Sequence, residues 1–452
     1  MASIGANYDP PSTAAALAES FVSGRQSLLT RQSTQATATA KGLTTLNAAM
    51  NAFQTKLGGL TGTGKAIVGS SAVLSDPTIA TATAKPTATA GTYSFFVEQV
   101  ASAHKVSYGG MADFAGGGTL TLGVGVAGGA APFDIDLSTQ GTWTVRDLAA
   151  AINGHADNST LSAAVVTTGA TSELVLTSKV TGLANAISVS HANVDGNLAT
   201  LLDAGANPLV DAADAVLRVG SKTGTPITQS TNAFNVIDGV TINVTAAQAA
   251  NATPFSLTIA TDNSATTANV QAFVDAYNDL TKTIDGLVNA GEGATGVFAS
   301  DSGVRALRER LVGMLRTSTG GMSLANYGII ANRDGTLNVN SSRLTKTLAT
   351  NPGGLDALLG STASGATSGI AGALDGFLDG WTNGSSGQIQ SRKQAVNQMQ
   401  SDLTTRQALL DKQYDGAYSR YLDQFSRLQA MQSQMSYNTS LFDSLFGGDS
   451  KD

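Results

Sequence analysis

Between Gly387 and Gly447 the chain contains no proline and a single glycine, Gly416, so its last 65 or so residues hold almost nothing that would interrupt a helix. Along this stretch Ile389, Val396, Leu403 and Leu410 recur every seven residues with Met399 at the intermediate position; Tyr414, Tyr421, Leu428 and Met435 then resume the beat. The step of four from Leu410 to Tyr414 reads as a stutter. Arg392 and Arg406 fall at d-type positions, where a charge weakens a simple two-stranded zipper and leaves part of the seam exposed. Such a helix needs a partner, and the opposite end of the chain supplies one. There Leu43, Leu46, Met50, Phe53, Leu57 and Leu60 alternate three and four residues apart, with Leu17, Phe21 and Leu28 extending the stripe less regularly. Each stretch is about 50 residues, roughly 75 Å as helix, so the two are expected to pair lengthwise as an antiparallel coiled-coil stalk. Gly24 and Gly42 should make the N-terminal helix the looser partner.

The 452 residues exceed what one core ordinarily serves, and between the ends the apolar period changes to two, as half-buried antiparallel strands require. Tyr93, Phe95 and Val97 alternate with polar or opposite-face neighbours; so do Leu120, Leu122, Val124 and Val126, and then Phe133, Ile135 and Leu137. Leu174 and Leu176, Ile187 and Val189, the Val240-Ile242-Val244 run, and Phe255, Leu257 and Ile259 repeat the pattern. One helix interrupts them over Thr144 to Asn153, with Thr144 and Asp147 spaced as a capping box and Gly154 closing it. From about Thr267 helices return. Val270, Phe273, Val274, Tyr277, Leu280, Ile284 and Leu287 share one face, and a second helix opens near Ser300 or Asp301. A hairpin follows around Asn332 to Gly335, then a helix over Ser341 to Thr350 stopped before Asn351-Pro352, and another carrying Ile370, Leu374, Phe377 and Trp381. The fold class is therefore α+β and multidomain. The expected division is a stalk of 1–62 and 385–452, a mainly helical leg of 63–90 and 262–384, a β-rich head of 91–110 and 205–261, and an inserted α+β head of 111–204.

Chemistry finds little purchase. With no cysteine, disulfides, thiolate metal sites and cysteine nucleophiles are all excluded; this suits an oxidising exterior, although compositional drift explains it equally well. His104, His155 and His191 lie far apart without metal-ligand spacing, so neither metal nor cofactor is expected. A net charge of -7 without a basic run argues against nucleic acid. Met1 to Pro11 lacks the pattern of a cleaved signal peptide, and no run reaches the ~20 apolar residues of a membrane span. Gly59-Leu60-Thr61-Gly62-Thr63-Gly64-Lys65-Ala66 matches a phosphate-binding loop except that Ala66 replaces the Ser or Thr that holds magnesium; a helix precedes it and no helical pattern follows, so it reads as the exit from the stalk.

Gly91-Thr92-Tyr93-Ser94-Phe95 running into Val100 to Lys105; Asp147 to Asn153 with Leu174 to Lys179 and Gly182 to Ile187; Ala212 to Val219; Ser230-Thr231-Asn232; and Ile237 to Ile242 together form a set of segments that resembles the flagellar filament-capping (hook-associated protein 2) family. The most characteristic are Asn269 to Asn278, Leu324-Ala325-Asn326-Tyr327-Gly328-Ile329, Asp334-Gly335-Thr336-Leu337 and Leu344; together the resemblance covers roughly residues 40 to 445, while the first 30 depart from the pattern. The resemblance implies a non-enzymatic homo-oligomer, pentameric or hexameric, at the distal tip of the filament. It further implies that the protein promotes flagellin folding and polymerisation, prevents leakage, contacts the filament tip or hook-associated proteins, and is secreted by the flagellar export apparatus with an export chaperone. The stalk residues named above would form the coiled-coil and oligomer seam. Tyr437, Leu441, Phe442, Leu445 and Phe446 would meet a chaperone or the filament, or simply pack at the helix end. Other axial proteins of the flagellum share the helical ends and a surface adhesin could share the β-rich heads; the Asn326-Tyr327-Gly328-Ile329 block favours the cap.

Overall fold

The computed structural model describes residues 9–125, 131–168, 171–290 and 295–446. The chain divides into two compact units, Met1–Thr63 with Thr267–Asp452, and Gly64–Thr266. In chain order the helices are α1 (Pro10–Thr61), α2 (Val145–Gly154), α3 (Gly196–Asp203), α4 (Asn263–Val288), α5 (Ser302–Met314), α6 (Ser341–Thr350), α7 (Pro352–Leu359), α8 (Gly369–Thr382) and α9 (Gln388–Phe446).

The first unit is helical. Asp9 starts α1 by accepting from the Ser12 amide at 3.0 Å, with prolines at the first helical positions where their missing N–H costs nothing. The α4 stripe expected from sequence is buried from Val270 to Ile284, with Leu287 half-buried. Against it lies the Ile329–Ala331 and Leu337–Val339 hairpin, fastened by Asn278, whose amide donates to the Leu337 carbonyl at 2.8 Å and accepts from the Leu337 N–H at 2.7 Å. Asp301 caps α5 through the Val304 amide at 3.0 Å, and Arg308 of α5 binds Asp285 of α4. Asn351-Pro352 ends α6 but also opens α7, which sequence reasoning missed: Asn351 accepts from the Gly354 amide at 3.1 Å and Pro352 takes the first turn.

The second unit holds two cores. One lies about the five-stranded sheet ordered Gly69–Leu74, Phe255–Asp262, Gly91–Gln99, Ala215–Val219 and Pro226–Gln229, with the three-stranded sheet Ala233–Ile237, Val240–Val244 and Ala80–Ala84; Phe95, Val97, Leu217, Phe234, Ile242 and Leu257 fill it. The other joins the four-stranded sheet Asn207–Val210, Ala103–Tyr108, Thr171–Thr181 and Leu161–Thr168 to α2 and the Ile187–Ala192, Thr119–Val124 and Phe133–Asp136 sheet. Thr144 and Asp147 form the expected capping box at the start of α2.

Two boundaries move. Residues 63–90, expected with the helical leg, instead carry strands Gly69–Leu74 and Ala80–Ala84, whose partners lie more than 150 residues later in the chain. The inserted module also begins and ends one strand further out than 111–204, because Ala103–Tyr108 pairs with both Thr171–Thr181 and Asn207–Val210. The Val126 reading lies outside the described residues.

Candidate assembly surface

In the first unit α1 and α9 run antiparallel, a direction fixed by the Arg25 guanidinium donating to Gln413 Oε1 at 2.5 Å and by Gln26 and Gln407, which exchange amide hydrogen bonds of 3.1 and 2.8 Å. Leu43, Leu46, Met50, Phe53 and Leu57 of α1 are buried and Leu60 is half-buried. On α9 the buried residues are Ile389, Val396, Leu403, Leu410 and then Ala417, so the seven-residue beat continues unbroken. The expected stutter is corrected: Tyr414 and Tyr421 flank the seam half-buried, and an alanine takes its centre. Met399 is corrected as well; it is 51% exposed, and the intermediate seam position falls one residue later, at the half-buried Gln400, in the row that continues through Gln407, Tyr414 and Tyr421.

The N-terminal half of α1 also differs from expectation. Ala14, Ala18 and Val22 face inward, while Leu17, Phe21 and Leu28 are exposed. Carried on from the Arg25–Gln413 pair, the antiparallel register sets Ala18 at the height of about residue 420, among the tyrosines of α9, where bulk on one helix is matched by small residues on the other. Between Val22 and Ala36 no α1 residue is fully buried; Leu29 is half-buried opposite the buried Leu403 and Leu410 of α9, and beside them the Gln26–Gln407 and Arg25–Gln413 hydrogen bonds cross the pair. Gly42 is not a loose point: a Cβ there would come within 2.5 Å of Val297 and 3.0 Å of Phe298, so the missing side chain admits the 295–301 loop against the helix.

Arg392, an awkward residue in a zipper, is claimed from outside it. Its guanidinium binds the Asp301 carboxylate and lies over the Trp381 ring at 5.6 Å, tying α9 to the start of α5 and to α8. Burial pushes the Asp301 carboxyl up, but the Arg392 hydrogen bond, the Val304 amide and the Arg392 charge outweigh it and hold the group below the usual carboxylate value. Between the folded value and the unfolded value of about 3.9 the unfolded chain binds more protons, so the stabilisation is complete above that window and disappears as pH falls through the folded value. Arg392→Ala is expected to cost roughly 1–2 kcal/mol at pH 7, discounted for partial exposure, and this gap from the parent should close in urea titrations run progressively below about pH 4. A gap independent of pH would mean that the guanidinium acts only through packing on Trp381.

The α9 helix passes the height of the first α1 residue at about residue 428 and continues to Phe446. Leu428, Met431, Met435, Tyr437, Leu441, Phe442 and Leu445 are exposed along this end, so Leu428 and Met435 are not part of the intrachain seam; the side chain of Phe446 lies outside the described residues.

The remaining candidates for chemistry have structural roles. His104 Nδ1 accepts from the Ile187 amide at 2.8 Å, His155 Nδ1 from the Asp157 amide at 3.2 Å, and His191 pairs with Asp203 at 3.0 Å. Among the described residues no group of three metal-ligating side chains gathers, and no helix is long and apolar enough to cross a membrane. Gly59 to Thr61 finish α1, and a strand rather than a helix follows Lys65, so no helix N-terminus faces the loop that resembles a phosphate site.

Comparison with known proteins gives a consistent result. The family model described as flagellar hook-associated protein 2 C-terminus matches residues 212–437, and that described as flagellar hook-associated protein 2 N-terminus matches residues 7–104. The lateral flagellar hook-associated protein 2 of Vibrio parahaemolyticus is 34% identical, over 80% of this chain and 83% of that protein. The B-type flagellar hook-associated protein 2 of Pseudomonas aeruginosa is 29% identical, over 86% of this chain and 85% of its own length. Among solved structures, the D1-D2-D3 domains of the flagellar cap protein from Escherichia coli superpose with a TM-score of 0.63 at 25% identity, covering 79% of this chain and 99% of that one.

Proposed function

The chain belongs to the flagellar hook-associated protein 2 family and is a cap at the distal tip of the extracellular flagellar filament, and from this premise we propose that the α1–α9 rod is the part by which it assembles and seats itself. The observation that carries the reading is the far end of α9, where large apolar side chains stand exposed on a helix that has outrun its partner. A monomer gains nothing by solvating such a row, whereas a filament tip or another copy of the chain can cover it. In this reading the protein works by assembly and not by catalysis. It forms a homo-oligomer of five or six copies and promotes the folding and insertion of flagellin while limiting its leakage. Before export, a chaperone covers the same end of α9. The β-rich unit forms the plate under which flagellin is added. Absence of cysteine fits a chain that is secreted unfolded and has no bridge to reform.

The test separates assembly from folding. Met435→Asp, Leu441→Asp and Leu445→Asp introduced together change only exposed positions, so unfolding should shift by no more than about 0.5 kcal/mol per site. In a strain lacking the cap, the variant is expected to leave filaments short and flagellin free in the medium. Full restoration of filament growth would overturn the role given to this end of α9.

A further inference from the structure

We propose that neighbouring copies pack rod against rod through two unlike sides of the α1–α9 seam, an exposed leucine pair rimmed by arginines meeting an uncharged groove of threonines, glutamines and leucines beside Asp411. The proposal rests on the cap reading and adds the surface and the order of contact. A groove of about 360 Å³ on one side of the seam has the exposed Leu28 and Leu409 on its walls, 49% and 55% accessible, with Arg25 and Arg406 beside them. A second groove, about 510 Å³, has threonines, Ser33, Gln400 and Gln407 around Leu29 and Leu403, and no charged residue in its lining. Leu29 borders both, so the two grooves lie on opposite sides of the same seam, displaced from each other by about one helical turn along the rod. Asp411 stands one turn from Gln407 on the polar side and accepts from its amide at 2.9 Å, which sets a carboxylate level with the arginines of the other side.

Symmetry makes this arrangement informative. Copies seated on the single end of a filament all point the same way, and a ring of more than two such copies closes only if each presents two different surfaces at equal height. The rod offers two unlike surfaces over residues 25–34, arginines on one side and Asp411, beside the other groove, at the height of those arginines. The leucines would enter a groove whose walls are Leu29, Leu403, threonine methyls and glutamine stems, and Asp411 would meet Arg25 or Arg406 of the next copy.

The absence of native cysteine makes the test clean. Leu28→Cys and Thr30→Cys, placed together in the full chain, lie two residues apart on one helix and face different sides, so they cannot bridge within a copy. Mild oxidation should give a reducible ladder of covalent oligomers from the double variant and monomer from either single variant. In parallel, Asp411→Arg should weaken self-association by about tenfold or more in sedimentation, and adding Arg25→Asp with Arg406→Asp should restore it. Dimers formed by Leu28→Cys alone would mean that like sides meet and would overturn the pairing. Particles of full size without cross-links from the double variant would overturn it too. A parent chain that sediments as a monomer at every concentration would overturn the cap assembly itself, and the pairing with it.

Discussion

Phe53→Ala is expected to lower the stability of the helical unit by about 3–5 kcal/mol, the largest loss from any single truncation in the rod. The Phe53 ring is buried where α1 meets α4, with the Phe273 and Tyr277 ring centroids each 6.3 Å away, the latter edge-on. Removing it costs the transfer of an aromatic side chain, two ring–ring contacts and a cavity between helices that other contacts hold in place, so little collapse can relieve it. The loss falls on the base of the rod, and capping should fail together with stability. Urea unfolding monitored at a helical wavelength measures the effect, with Leu28→Ala as an exposed control expected to stay within about 0.5 kcal/mol. A loss below about 1 kcal/mol at Phe53 would mean that α1 is not anchored on α4.

Gly328→Val should be nearly as damaging, by about 2–4 kcal/mol, although the site holds no side chain at all. Gly328 closes the turn Leu324–Tyr327 at φ 79°, a left-handed conformation that is costly for a β-branched residue. A Cβ there would sit 2.6 Å from the Asn340 carbonyl and 3.2 Å from the Leu344 amide, both backbone atoms at the start of α6. The Gly328 carbonyl also accepts from the Asn340 N–H at 2.8 Å, so moving the turn away breaks the contact that fixes the helix. Gly328→Ala is expected to lose less than the valine but in the same direction, and thermal unfolding of the pair separates backbone strain from added bulk. The Asn326-Tyr327-Gly328-Ile329 block thus has a mechanical reason to exist. Tyr327 is buried and donates to the Asn351 carbonyl at 3.1 Å, while Gly328 lets the chain reverse against Asn340.

Features carried by neighbours in sequence could be read directly. The cap near Ser300 or Asp301, the box at Thr144 and Asp147, the Ile329–Val339 hairpin, the extent of α6 and the stripes of α4 and α8 each depend on residues within a turn or two, and local chemistry defines them. What could not be read depends on partners far away. Ala14, Ala18 and Ala417 centre the upper seam, yet a buried alanine has the same sequence signature as an exposed one in so alanine-rich a chain. Leu17 and Phe21 looked like the core and are exposed, because the bulk at that height comes from α9. The strand Gly69–Leu74 has weak alternation and is stabilised by Phe255–Asp262, a pairing that no local window contains. Arg392 looked like a flaw in the zipper because its partners Asp301 and Trp381 belong to other helices.

The glutamine contact between Gln26 and Gln407 lies in the stretch of α1 from Val22 to Ala36 where apolar burial thins. Hydrogen bonds of this kind can be exchanged for water at small net cost, whereas the leucine and tyrosine contacts on either side cannot. Over that stretch α1 gives only the half-buried Leu29 to the apolar seam, with Leu403 and Leu410 of α9 supplying the rest, so the pair is held there by fewer apolar contacts than on either side and bending of the rod would concentrate at that height.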